Sequence, residues 1–264
     1  MKMSTVLLPA LLAFAVAGPA RADDEPIATD RPDFVESSDV VGKGRVQIET
    51  SLAWERDRQG GVKARLSSTP TLLRVGISED WELRLETDGR LRLKAEAAGI
   101  TTRERGWSDL SLGAKWHQRD GNEDAGTPGL GWLFHLDADT GSGAFRGQGL
   151  RPSVRMVAEW EFAGGWSLGV MPGVFRDRDE DGRHFTGGIL AAVLGKSLND
   201  RTRVFVELSG EQLAPARHGG NVTTLDAGVA YLVTKDVQLD AAMSRGLNRN
   251  APDFAWTVGL SVRF

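Results

Sequence analysis

The chain of 264 residues has no cysteine. That absence excludes a disulfide framework, thiolate metal sites and a cysteine nucleophile. Beyond the N-terminus no apolar run approaches the roughly 18 residues a membrane helix needs, so a helical membrane protein is excluded. There is no excess of positive charge. Lys and Arg number 32 against 36 Asp and Glu, a formal charge of −4, which argues against nucleic acid as a partner. Histidine is scarce, and His117, His135, His184 and His218 do not stand in the HExxH spacing of a metal helix. The acidic run Asp177–Gly182 lacks the order of ligands and the terminal Glu of a calcium loop. No catalytic residue, metal or cofactor is implied. Tyrosine is nearly absent, with Tyr231 alone. What is present is 41% hydrophobic and 26% charged residues, too balanced for a disordered polymer. A soluble enzyme and a β-barrel both fit that composition, and residue order decides between them.

Residues 1–22 read as a secretory signal. Lys2 supplies the positive start, Val6 to Ala17 the apolar core, and Ala20-Arg21-Ala22 the small residues beside a cleavage site after Ala22. Acidic residues follow at once in Asp23-Asp24-Glu25.

The rest alternates with period two, which sends successive side chains to opposite faces of a strand. From Trp81 to Lys94, Trp81, Leu83, Leu85, Thr87, Gly89, Leu91 and Leu93 share one parity. Glu82, Arg84, Glu86, Asp88, Arg90, Arg92 and Lys94 share the other. Val46–Trp54, Leu130–Ala138, Val154–Trp160, Trp166–Val174, Val204–Leu208 and Phe254–Phe264 repeat the pattern. Segments of this kind start near residues 45, 64, 81, 107, 129, 152, 166, 184, 201, 222, 237 and 254. Their connectors alternate between short turns (Ser78–Asp80, Ala163–Gly165, Leu198–Asp200, Thr234–Asp236) and longer linkers. The linkers are Asp57–Gly61, Ala95–Gly106, Asp139–Leu150, Arg176–Arg183, Gln212–Gly220 and Gly246–Asp253. Gln118–Pro128 is long where a short turn is due. Short turns on one side and longer loops on the other mark an outer-membrane barrel, with both termini in the periplasm.

Tryptophan placement separates this barrel from a soluble sandwich. Trp54, Trp81, Trp116, Trp132, Trp160, Trp166 and Trp256 fall on the apolar parity, mostly near strand ends, as in an interfacial girdle. Trp107 breaks parity unless a bulge intervenes. The predicted fold is all-β: a transmembrane antiparallel up-and-down barrel of about twelve strands over residues 45–264. Residues 23–44 form an N-terminal periplasmic segment or lumen plug. The terminal Phe264 after an alternating strand fits the signal read by the barrel-assembly machinery.

The stretch Ala28-Thr29-Asp30-Arg31-Pro32-Asp33-Phe34-Val35-Glu36-Ser37-Ser38, followed by Gly44-Arg45-Val46-Gln47-Ile48-Glu49-Thr50, resembles the outer-membrane transporter family linked to the meta (MetA) pathway of phenol degradation. Ser68–Arg74, Trp81–Arg84, Asp109–Gly113 and Asp226–Gly228 continue the resemblance, which runs from about Ile27 to Phe264. It implies a β-barrel and passage of small, aromatic solutes.

With the apolar parity in lipid, the charged parity faces the lumen. Predicted lumen-lining residues are Glu49, Glu82, Arg84, Glu86, Asp88, Arg90, Arg92, His135, Asp137, Arg155, Glu159, Arg203 and Glu207. Charges of both signs in a narrow space must pair or hold water, either in a polar conduit or in a salt-bridged filling. Asp30, Arg31, Asp33, Phe34 and Glu36 are the plug candidates, because Phe34 and Val35 suit a solvated tether poorly. Phe175, Phe205 and Met171 are inward apolar positions. The expected function is passive or facilitated passage of small molecules. Expected partners are outer-membrane lipid, lipopolysaccharide and the solute. A closed structural or adhesive barrel is the alternative. A barrel esterase built on His135, with Asp137, Asp139 and Ser142 nearby, ranks below both.

Overall fold

The computed structural model describes residues 25–179 and 181–264. The expected signal, residues 1–22, lies outside the described residues. The strands are β1 (Val46–Gln59), β2 (Val62–Ser68), β3 (Thr71–Gly76), β4 (Trp81–Thr87), β5 (Arg90–Ala97), β6 (Ile100–Trp107), β7 (Leu110–Arg119), β8 (Gly129–Ala138), β9 (Arg151–Phe162), β10 (Trp166–Arg178), β11 (His184–Asn199), β12 (Thr202–Leu213), β13 (Val222–Thr234), β14 (Val237–Gly246) and β15 (Phe254–Arg263).

They form one antiparallel sheet that closes where β15 pairs with β1, from Gln47 opposite Arg263 to Arg56 opposite Phe254. Along its other side β1 meets β3 near its start and β2 near its end. β2 and β3 are therefore two halves of one stave, interrupted at Thr69-Pro70. β4 with β5 and β6 with β7 are likewise single staves, interrupted at Asp88-Gly89 and Ser108-Asp109. The barrel thus has twelve staves. Closure leaves the ring no open edge, the condition a spanning sheet must meet in hydrocarbon.

At one end lie the short connections, at residues 77–80, 163–165, 200–201 and 235–236, with the longer 120–128 among them. Both ends of the barrel chain meet there, Val46 N–H donating to Phe264 O and Phe264 N–H to Val46 O. The longer loops gather at the other end.

Two expected linkers are strand. Ala95–Gly106 is mostly the β5–β6 hairpin, turning at Ala98-Gly99, and Asp57–Gly61 belongs to β1 up to Gln59 and turns at Gly60-Gly61. The alternation fades there because both faces are polar. β2, β5 and β6 rise as a flap above the ring. The outer edge of β6 pairs with no strand among the described residues and meets the β8–β9 loop, through Trp107 N–H to Ser142 Oγ and Ser142 N–H to Trp107 O.

The stave β4–β5 also corrects the predicted lumen set. Thr71 pairs with Thr87 and Ser67 with Arg92, so Ser68–Pro70 on one stave face the longer stretch Asp88–Leu91 on the other. The extra residue is a β-bulge, and it reverses which parity points inward. Gly89 carries it with φ +66°, a left-handed conformation that costs glycine little. Leu91 consequently turns into the barrel and is buried, while Arg90, Arg92 and Lys94 turn outward and are exposed. Trp107, paired with Arg90, lies on the outer face for the same reason.

Elsewhere the expected parity holds. Leu52, Leu83, Leu112, Val174, Leu190, Val206, Leu208 and Met243 are each more than half exposed on the outer wall. So much exposed aliphatic surface marks a lipid-facing wall. Trp81 stacks with Trp116 at 5.9 Å near the short-turn end, and Trp54 stacks with Trp256 at 4.0 Å near the long-loop end. These rings border the aliphatic band above and below.

Candidate functional site

The barrel interior is occupied by the chain's own residues 25–44, which contain no regular strand or helix. An irregular backbone away from water needs an acceptor for every N–H. Wall carboxylates supply five of them. Glu49 accepts from Asp30 N–H at 3.0 Å, Glu207 from Phe34 and Val35 N–H at 2.7 Å each, Glu159 from Ser38 N–H at 2.5 Å, and Glu82 from Val41 N–H at 2.9 Å. At the short-turn end Ile27 N–H donates to Lys235 O, joining the segment to a turn.

The side chains of the segment complete the anchoring. Asp30 receives Arg84 Nη1 at 2.5 Å and Lys115 Nζ at 2.7 Å, with Arg74 Nη1 at 3.4 Å. Glu36 binds Arg84 Nη2 at 2.6 Å and Arg155 Nη1 at 2.8 Å. Asp33 meets Arg203 at 2.9 Å, and Arg31 meets Asp240 at 3.1 Å. Phe34 lies under the Arg155 guanidinium at 5.6 Å. Burial pushes the Asp30 carboxyl up, but Arg74, Lys115 and Arg84 together outweigh it and hold the group well below the usual carboxylate range. An apolar cluster secures the middle: Val35 packs with Leu133, Val157, Met171, Ala191, Val193 and Phe205.

The structure gathers Glu49, Glu82, Arg84, Arg155, Glu159, Arg203 and Glu207 around this segment, in contact with it. Glu86 also lies inside, bridging Arg84 at 2.8 Å and His135 Nε2 at 3.0 Å. Asp88 and Asp137 line the cavity toward the long-loop end. Arg90 and Arg92 do not belong to the set, being on the outer wall. Met171 and Phe205 are packed rather than open, and Phe175 meets Phe185 edge-on at 5.9 Å.

Two central cations escaped the sequence reading, Arg74 and Lys115, both fully buried. Arg74 Nε and Nη2 grip Glu82 at 2.8 and 3.0 Å, and Arg74 Nη2 reaches Asp39 O at 2.8 Å. Their signal was available: Thr71, Leu73 and Val75 alternate with Arg74, as Ala114 and Trp116 flank Lys115. Gly165-Trp166-Ser167-Leu168-Gly169 has the Gly-x-Ser-x-Gly order, but Ser167 sits within β10 and not on a strand-to-helix elbow. Of the esterase set, His135 Nε2 pairs with Glu86, while Ser142 Oγ is engaged by Trp107 N–H in the outer loop.

A cavity of about 600 Å³ lies toward the short-turn end, against Ile27, Val35 and Ser37. A second of about 960 Å³ lies toward the long-loop end, against Asp30, Phe34 and Glu36. The segment thus stands between two chambers, with Arg31 and Asp33 lining both.

Residues 29–264 match the family model described as "Putative MetA-pathway of phenol degradation". The chain belongs to this family. The family match covers the interior segment from Thr29 onward as well as every strand. No curated protein matches the chain. Among solved structures, an outer membrane channel from Pseudomonas putida F1 is similar at TM-score 0.64 and 15% identity, over 89% of this chain and 99% of that one. The β domain of the Bordetella autotransporter BrkA is similar at TM-score 0.54 and 14% identity, over 83% and 99%. The KdgM porin, solved with disordered oligogalacturonate, is similar at TM-score 0.51 and 10% identity, over 83% and 99%. At these identities the likeness is one of fold.

Proposed function

We propose that this family member is an outer-membrane channel for passive or facilitated passage of small molecules, with residues 25–44 closing its lumen as a plug held from the periplasmic side. The observation that carries the reading is the pair of chambers on either side of one ion-paired segment inside a closed barrel. A merely structural barrel gains nothing from two chambers of about 600 and 960 Å³, each large enough for a small solute. Release of one irregular segment joins them, and the twelve-stave ladder keeps its closure without it.

Phe34, Leu72, Leu91 and Phe145 in the larger chamber stand beside Arg151 and Arg155. That mixture of apolar surface and cations suits a small aromatic solute bearing an acidic or hydroxyl group. The family's link to phenol degradation supports the same class. Export with cleavage after Ala22, contact with lipopolysaccharide and delivery through Phe264 to the barrel-assembly machinery belong to this reading. The reading assigns the chain passage and no chemistry.

The test is single-channel conductance of the refolded chain in a planar bilayer, beside the variant Asp30→Ala/Glu36→Ala. The wild type is expected to stay mostly closed and the variant to show discrete open steps. Silence from both, with folded and inserted barrels, overturns the channel in favour of a closed structural barrel.

A further inference from the structure

The bulge at Gly89 has a consequence on the outer wall. On the flap, Arg56 of β1 pairs in register with Arg65 of β2, Arg65 with Lys94 of β5, and Lys94 with Arg103 of β6. All four side chains are on the outward parity and exposed. Four cations therefore stand side by side on four adjacent strands, a row spanning roughly 14 Å at ordinary strand spacing. Directly below, Arg92 pairs with Arg105, and above, Arg58 pairs with Lys63. Among the described residues none of these eight has a carboxylate within ion-pair distance. Glu55 and Glu104 are on the opposite parity, and Glu96, one row higher, pairs in register with Lys63.

Like charges directly opposite one another destabilise a sheet. Eight cations on this face against the one outward carboxylate Glu96, with no ion pair made among the described residues, leave a net positive surface suited to an external polyanion. The position says which one. Descending the outer face of β1, Arg58 and Arg56 give way to Trp54, stacked on Trp256, and then to the exposed Leu52 with Val258 beside it in register. A groove of about 540 Å³ runs between the cation row and the aromatic rings Trp54, Phe254 and Trp256, with six cations against the two carboxylates Glu55 and Glu104 in its lining. Charge, then amphipathic rings, then aliphatic wall is the order of a lipid with an anionic headgroup. The row stands at the long-loop end, which on the channel reading above faces the outer leaflet.

We infer that the Arg56–Arg65–Lys94–Arg103 row and its groove bind the phosphorylated glucosamine headgroup of lipopolysaccharide, its acyl chains lying on the wall below Trp54. The inference rests on the outer-membrane reading only for which lipid is at hand. A free phosphate would not account for the rings and aliphatic wall beneath the cations. A phospholipid with one phosphate leaves much of a four-cation row unmatched, whereas a bisphosphorylated disaccharide spreads its charge along it.

The experiment measures binding of purified bisphosphorylated lipid A to the full mature chain refolded in neutral detergent, by native mass spectrometry and by thermal shift. The variant is Arg56→Gln/Arg65→Gln/Lys94→Gln/Arg103→Gln. Loss of at least about tenfold in affinity is expected for the variant, and a similar loss for dephosphorylated lipid A on the wild type. The lipid-free variant should be no less heat-stable than the wild type, since repulsion has been removed. A charge-keeping variant, Arg56→Lys/Arg65→Lys/Arg103→Lys, should retain most of the binding. Unchanged lipid A affinity in the Gln variant overturns the site. Equal affinity of the wild type for phosphatidylglycerol overturns the choice of lipopolysaccharide. Failure of the outer-membrane reading shows separately: in cell fractions the wild-type chain would be missing from the outer membrane, whatever lipid A does in detergent.

Discussion

Replacing Asp30 by Ala strips one carboxylate from three cations at once. The wild-type carboxylate receives Arg84 at 2.5 Å, Lys115 at 2.7 Å and Arg74 at 3.4 Å, and it also accepts Ser37 N–H at 2.9 Å within the segment. Arg74 and Lys115 are fully buried. Arg84 and Arg74 retain Glu82, and Arg84 retains Glu36 and Glu86, but Lys115 loses its one ion-pair contact among the described residues and keeps only the carbonyls of Ser37 and Asp39 and the more distant Glu82 and Glu159. Removing one member of a buried ion pair costs about 3–5 kcal/mol, because the other charge is left without compensation. The cost falls on the docked state alone, since an undocked segment exposes both groups to water. At a factor of ten for each ~1.4 kcal/mol, the undocked fraction rises between about a hundredfold and a few thousandfold. Single-channel recording reads this as open time, and limited proteolysis of the folded barrel reads it as faster cleavage within 25–44. Adding Lys115→Met to Asp30→Ala should restore part of the closure, a coupling of about 0.5–3 kcal/mol between neighbours. If Asp30→Ala leaves both open time and cleavage unchanged in a folded barrel, the ion-pair account of docking is refuted.

Asp30 is held below the usual carboxylate range, so its stabilisation is complete above the unfolded pKa of about 4 and is lost only as pH falls through the lower docked value. The difference in cleavage rate between wild type and Asp30→Asn should therefore stay constant from pH 7 to about 5, and a difference that vanishes by pH 5 contradicts this. Gly131 faces the lumen, and a Cβ there would stand 2.8 Å from Ser38 O, so Gly131→Val should push the segment off the wall and speed its proteolysis while leaving the barrel's heat-resistant gel mobility intact. At Gly89 a Cβ would meet Thr69 O at 2.4 Å in a left-handed backbone, and Gly89→Val should lower the barrel's melting temperature through strain of at least about 1–3 kcal/mol. Trp256→Ala removes the stack on Trp54 and should cost about 0.5–1.5 kcal/mol beyond lost area, measured by denaturant unfolding from lipid vesicles.

Period two, turn spacing and tryptophan parity were enough to place twelve staves and to sort most side chains into wall and lumen, because alternation is a local property of each strand. Twelve starting points read from the chain correspond to the twelve staves, including those near residues 64, 184 and 237, where the alternation is less regular. Glu82, Arg84, Glu207 and Arg203 were legible as inward because their apolar neighbours on the same strand point to lipid. The partners of Asp30, Arg31, Asp33, Phe34 and Glu36 were not legible. Those contacts join residues as far apart as Arg31 and Asp240, and no local pattern encodes which wall carboxylate meets which backbone N–H. Arg74 and Lys115 become central only when three staves bring them onto one carboxylate.

The Arg90–Lys94 face shows the limit most sharply. Alternation continues unbroken through Asp88-Gly89, so sequence parity keeps these cations inside. A bulge is a mismatch in count between two paired strands, and neither strand alone records it. The sequence by itself determined that this chain closes a barrel with a polar interior and an aliphatic belt. Only the tertiary structure decided what fills that interior and which cations leave it for the wall, because both depend on register between segments distant in the chain.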